Sequence, residues 1–146
     1  MTSIPEFMTI KHRECDDVFI EAETAVSQKD WVLAENKLHE FQKELLLHLD
    51  AEENILFPEF EQATGIVSGP TQVMRMEHGQ MRELLKDLEN ALLTKDSDKY
   101  LGLSETLMIL MQQHNMKEEN MLYPMAQQHI PENTTVLGSL KQHCDQ

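Results

Sequence analysis

Two stretches of the chain set a histidine and a glutamate four residues apart inside what otherwise reads as the apolar face of a helix. In His48-Leu-Asp-Ala-Glu-Glu-Asn-Ile-Leu-Phe-Pro58, His48 and Glu52 lie in line with Phe41, Leu45 and Ile55. In His114-Asn-Met-Lys-Glu-Glu-Asn-Met-Leu-Tyr-Pro124, His114 and Glu118 lie in line with Leu107, Leu110, Met111, Met121 and Met125. Four residues turn an α-helix through about 400°, so each pair stacks on one face. A buried carboxylate without a counter-charge is costly. Lys11, Arg13, Lys43 and Lys117 all fall off these faces, so no basic side chain supplies one. A metal cation would neutralise the carboxylates and accept the imidazole lone pairs.

The two stretches are copies. A shift of 66 residues carries His48 onto His114, Glu52 onto Glu118, Pro58 onto Pro124 and, further upstream, His12 onto His78. The neighbours of the last pair agree: Met8, Cys15, Phe19, Ala22 and Val26 hold the same offsets around His12 as Met74, Met81, Leu85, Leu88 and Leu92 around His78. These offsets describe one helical face. The candidate ligands are therefore His12, His48, Glu52, His78, His114 and Glu118. Singly, each is as easily a hydrogen-bonded core histidine or a surface ion pair, but six in register through a duplication are a metal site.

Six ligands, two of them carboxylates able to bridge, are too many for one tetrahedral zinc that keeps a water. The pattern predicts a dinuclear centre with two histidines on each ion, both glutamates spanning the pair and an oxo or hydroxo group between. Imidazole and carboxylate suit iron, zinc or manganese. Glu53 and Glu119 stand about 100° off the stripe and read as surface charges. His39 is half a turn from His48 and should face solvent. His143 reads as solvated, and the direction of His129 is open.

The elements that must position these groups are helices, for strand-like alternation is scarce. Helix periodicity runs from about Pro5 to Ser27, from after Asp30 to about Phe57, from Pro70 or Thr71 to Leu93, and from near Ser97 to at least Tyr123. Asp30 can cap the second of these, and the breaker cluster Gly65-Ile-Val-Ser-Gly-Pro70 precedes the third. Pro58 and Pro124 should end or kink their helices. The expected architecture is all-α: an up-down-up-down four-helix bundle over residues 1–130, built from a duplicated helical hairpin. Residues 131–146 form a short C-terminal tail, packed on the bundle or disordered, with room for one short helix.

Composition narrows the partners. The formal net charge of −14 repels nucleic acid and anionic membrane. No apolar run is long enough to span a bilayer, and the N-terminus lacks a secretory pattern, so a cytoplasmic location is expected. Cys15 and Cys144 form no CxxC motif, and neither a disulfide framework nor a thiolate zinc site is indicated. The methionines on the stripes read as core filler. Ser104 and Ser139 have no partner set for nucleophilic catalysis, and nothing in these residues argues for turnover.

The repeated His-x3-Glu-Glu segments, with His12 and His78, resemble the hemerythrin-like (HHE cation-binding) domains across about residues 8–128. The resemblance implies a four-helix bundle housing two iron ions with an oxygen-derived bridge. It also implies a small diatomic ligand or peroxide as the partner. Oxygen-carrying members have a further histidine four residues before the third-helix ligand, where this chain has Met74. They take their last carboxylate five residues after the fourth-helix histidine, which makes Glu119 a fallback for Glu118. The set of four histidines and two glutamates is similar to that of the repair-of-iron-centres proteins, whose cysteine-bearing N-terminal domain has no counterpart in these residues. Three readings follow: a di-iron protein that binds or senses O2, NO or peroxide in oxidative or nitrosative stress; an iron storage or donor protein for iron–sulfur cluster repair; and a zinc-bound or metal-free interaction module.

Overall fold

The computed structural model describes residues 2–145; Met1 and Gln146, at the outer ends of the expected bundle and tail, lie outside the described residues. The helices are α1 Ile4–Ser27, α2 Trp31–Ala51, α3 Phe57–Thr64, α4 Pro70–Leu93, α5 Ser97–Lys117, α6 Tyr123–His129 and α7 Asn133–Cys144. Two π-helical stretches, Glu52–Leu56 and Glu118–Leu122, join α2 to α3 and α5 to α6 without a break. Among the described residues there is no strand, and the chain is all-helical as expected. No described helix is long and apolar enough to cross a membrane.

The helix starts follow from local chemistry. Asp30 and Asp96 accept hydrogen bonds from the amides of Leu33 (3.2 Å) and Lys99 (3.1 Å), satisfying donors that have no partner inside their own helix. Ser3 does the same for Glu6, with Pro5 in the first turn where its missing amide costs nothing. The turns that close the two hairpins are built alike. Lys29 and Lys95 take left-handed φ angles of 57° and 53°. Their amides donate to Val26 and Leu92, and those of Asp30 and Asp96 donate to Ala25 and Ala91. The 66-residue repeat thus reaches the backbone of the turns.

α1 packs on α2 and α4 on α5; α1 also meets α5 and α6, and α2 meets α4. The apolar interior divides into two clusters. One is centred on Phe19, Phe41, Leu45, Leu85, Leu107 and Met111, the other on Met8, Leu56, Phe57, Phe60, Met74 and Leu122. Burying each such side chain contributes roughly 1.5–3 kcal/mol, so these clusters carry the bundle and clamp the polar layer between them. The predicted stripes of α1 and α4 are buried throughout except for the half-buried Leu92.

Beyond the glutamates the expected register fails. Met121 is 57% exposed and Ile55 only half-buried, whereas Leu56, Phe57, Leu122 and Tyr123 are buried. Each π stretch adds one residue to its turn, with the amides of Phe57 and Tyr123 donating to the carbonyls of Glu52 and Glu118 five residues back. The inward face therefore advances by one position. The same device answers one half of the expectation for Pro58 and Pro124. Neither ends its helix; each sits in the first turn after a π stretch, and the chain continues to Thr64 and His129.

α7 lies against α1, α2 and the first π stretch, burying Val136, Leu137 and Leu140 in the second apolar cluster. His143 is not simply solvated, since its Nε2 lies 2.9 Å from the Asp50 carboxylate of α2. His39 and His129 are exposed.

Candidate metal centre

α1, α2, α4 and α5 each send one histidine inward, His12, His48, His78 and His114, and each π stretch opens on one glutamate, Glu52 or Glu118. None of the six is more than 5% exposed. Their potential ligand atoms form two overlapping groups. Those of Glu52, His78, His114 and Glu118 all lie within 4.8 Å of one another, and so do those of His12, His48 and Glu118. Glu118 belongs to both, while Glu119 belongs to neither.

Hydrogen bonding accounts for only part of this arrangement, as between His12 Nε2 and Glu118 Oε1 at 3.1 Å. His78 Nε2 and Glu52 Oε1 stand 3.1 Å apart, yet neither atom has a hydrogen-bond partner. His114 Nε2 is 3.2 Å from Glu118 Oε1 and is likewise without one, as is Glu118 Oε2. Buried polar atoms left in this condition are rare and costly. Donor atoms about 3 Å apart are what bonds of about 2.1 Å to a shared cation produce. The residues fit a bound cation.

The outer nitrogens of three histidines are held by carboxylates. His12 Nδ1 is 2.7 Å from Glu119, His78 Nδ1 is 2.7 Å from Glu53, and His114 Nδ1 is 2.9 Å from Glu77. Such a partner orients the ring and would leave Nε2 as the lone pair offered to a cation. Arg82 grips Glu53 through two hydrogen bonds of 2.9 Å, and Lys117 reaches Glu77 at 2.7 Å. Glu53 and Glu119 are therefore not the surface charges that their offset suggests. A position 100° off the stripe lies at the helix–helix seam, within reach of the histidine on the neighbouring helix.

The electrostatics express the same crowding. Burial and the adjacent Glu118 carboxylate push Glu52 well above the usual carboxylate range. Burial opposes ionisation of Glu118 too, but the neighbouring Glu52, His114 and His12 outweigh it and hold Glu118 well below that range. Burial works against a charged His12, but Glu118 and Glu119 raise it to about 9. Burial dominates at His78 and lowers it to about 4.

Tyr123 was missed in the sequence. The π stretch turns it inward, fully buried, with its hydroxyl 2.6 Å from Glu52 Oε2 and 3.0 Å from Glu118 Oε1. Its one sequence signal was the repeat itself, where Tyr123 stands opposite Phe57 between the shared leucine and proline. A cavity of about 10 Å³ lies beside the centre, lined by His12, His48 and His114 together with Cys15, Leu45 and Met111. It has room for a molecule no larger than water.

Over residues 3–126 the chain matches the model of the hemerythrin HHE cation binding domain family. No curated protein and no solved structure matches it.

Proposed function

Because the chain belongs to the hemerythrin HHE cation-binding family, we propose that it is a non-haem di-iron protein that binds or senses O2, NO or peroxide. Its setting would be the response to oxidative or nitrosative stress in the cytoplasm. The observation that carries this reading is the pair of donor groups joined through Glu118, with buried nitrogen and oxygen atoms that no protein group satisfies. His78, His114 and Glu52 would hold one iron, His12 and His48 the other, and Glu118 would serve both. In the same reading residues 1–130 form an up-down-up-down four-helix bundle and residues 131–146 a tail packed on it.

Iron in these positions would supply a redox-active centre able to take a small exogenous ligand. The chain's own part is derived from its residues. Glu53, Glu77 and Glu119 orient three imidazoles, and the two apolar clusters keep bulk water from the centre. The cavity beside His12, His48 and His114 limits any ligand to a few atoms. Ligand side chains this deeply buried suit retention of iron rather than its donation, and nothing in the centre favours an interaction module over a metal protein.

Metal analysis of protein produced in iron-replete cells should find a pair of irons per chain. Anaerobic addition of NO to the reduced protein should then change its visible and electron paramagnetic resonance spectra. Iron-loaded protein whose spectra do not respond to NO would remove the ligand-binding reading, and protein that takes up no iron would remove the di-iron one. Rapid transfer of iron to an apo iron–sulfur acceptor would favour donation instead.

A further inference from the structure

The two donor groups are unequal. Around His78 and His114 both glutamates contribute, making four protein donors, whereas around His12 and His48 only Glu118 does. The fourth place of that second group is filled by a different atom. The Tyr123 hydroxyl oxygen lies 3.0 Å from His12 Nε2, 3.3 Å from His48 Nε2 and 3.0 Å from Glu118 Oε1, which are the ligating atoms of all three members of the group. Its fourth neighbour, Glu52 Oε2 at 2.6 Å, is the carboxylate that the group lacks.

A phenol has one proton to give and two lone pairs. Donating to Glu52, the shortest of the four contacts, leaves its lone pairs facing a carboxylate oxygen and two ring nitrogens. His12 Nδ1 is engaged by Glu119, so a cation that displaces the proton on the other ring nitrogen would meet a lone pair at Nε2 as well. Lone pairs converging at separations near 3 Å are the donor shell of one cation.

We infer that the Tyr123 oxygen is a seventh protein ligand, bound to the iron held by His12 and His48. On loading, the phenolic O–H bond breaks, an oxygen lone pair forms the bond to iron, and the proton leaves to solvent, as for other ligands that bind deprotonated. The duplicated half has no such atom. Phe57 occupies the matching place with its ring stacked at 5.6 Å on His78, as Tyr123 is stacked at 5.6 Å on His12. One hydroxyl thus makes the two irons chemically different, with a phenolate oxygen on one alone.

This inference rests on the di-iron reading, and its test separates the two. Full-length ferric protein carrying a pair of irons should show a visible charge-transfer band whose resonance Raman spectrum contains ring modes of a metal-bound phenolate. Mössbauer spectra should resolve two inequivalent sites. Tyr123→Phe repeats the side chain already accommodated at position 57. It should lose the band and the ring modes entirely, and it should bring the Mössbauer sites together or lose iron from one of them. Phe57→Tyr should add a second set of ring modes.

A wild-type protein that holds its pair of irons without phenolate modes overturns the ligand assignment and leaves the di-iron reading standing. So does a Tyr123→Phe variant with an unchanged spectrum. Protein that binds no iron overturns both.

Discussion

The first half of this chain and the second, related by a shift of 66 residues, agree in backbone and ligands but differ in what surrounds each ligand. Their turns make the same hydrogen bonds, and both halves hold His12 and His78 from behind with the matching residues Glu119 and Glu53. Around this shared frame three substitutions break the symmetry. Glu77, which holds His114, corresponds to Lys11, so His48 Nδ1 has no carboxylate and no hydrogen bond. Arg82, which locks Glu53, corresponds to Asp16, so Glu119 meets an acid where Glu53 meets a base. Phe57 corresponds to Tyr123. A duplication yields a symmetric donor set cheaply; single changes behind or beside it then give each metal position its own character.

The largest effect should come from removing what the halves share. Replacing both Glu52 and Glu118 by glutamine should abolish iron loading. The iron content of the purified variant and parent checks this, and a variant that still takes up iron would show that the two carboxylates are not needed for loading.

Next in size are the carboxylates behind the ligands. Glu53→Gln and Glu77→Gln should each weaken iron binding by about 10–100-fold. Glu119→Gln should cost less, since no basic side chain holds Glu119 in place. Chelator competition measures the three, and equal losses would mean that Arg82 and Lys117 contribute nothing.

Lys11→Glu places in the first half the group that Glu77 supplies in the second. It should tighten the weaker iron by up to about tenfold. Two-phase iron release under a chelator, with only the faster phase slowed, is the expected record. Slowing of both phases would deny that the acid acts through His48.

The smallest effect belongs to the turns, where the halves are alike. A non-glycine residue in the left-handed region costs about 1–2 kcal/mol, of which glycine's extra unfolded freedom returns part. Lys29→Gly and Lys95→Gly should therefore each stabilise the protein by up to about 1 kcal/mol, to a similar extent, without altering iron content. Unequal shifts in denaturation midpoint would place a difference between the halves in the turns as well.

Much of the centre was legible in the sequence because helical periodicity makes a polar residue on an apolar stripe conspicuous. His12 between Met8 and Cys15, or Glu118 after Met111 and His114, has no alternative position on an α-helix. Legibility stopped at Glu52 and Glu118, where the stripe rule points to Ile55 and Met121 but Leu56, Phe57, Leu122 and Tyr123 are buried instead. A switch to i→i−5 hydrogen bonding carries no residue code of its own. Pro58 and Pro124 advertise a disturbance and not its direction.

Residue order alone determined that this is a duplicated helical chain with four histidines and two glutamates aimed at one interior, because the spacing that buries an apolar face buries whatever shares it. Only the tertiary structure decided which groups stand behind those ligands and that Tyr123 stands among them. Glu53, Glu77 and Glu119 find their histidines across seams between helices, and Tyr123 enters through a register shift, so both outcomes depend on how packed helices meet and not on the period of any one of them.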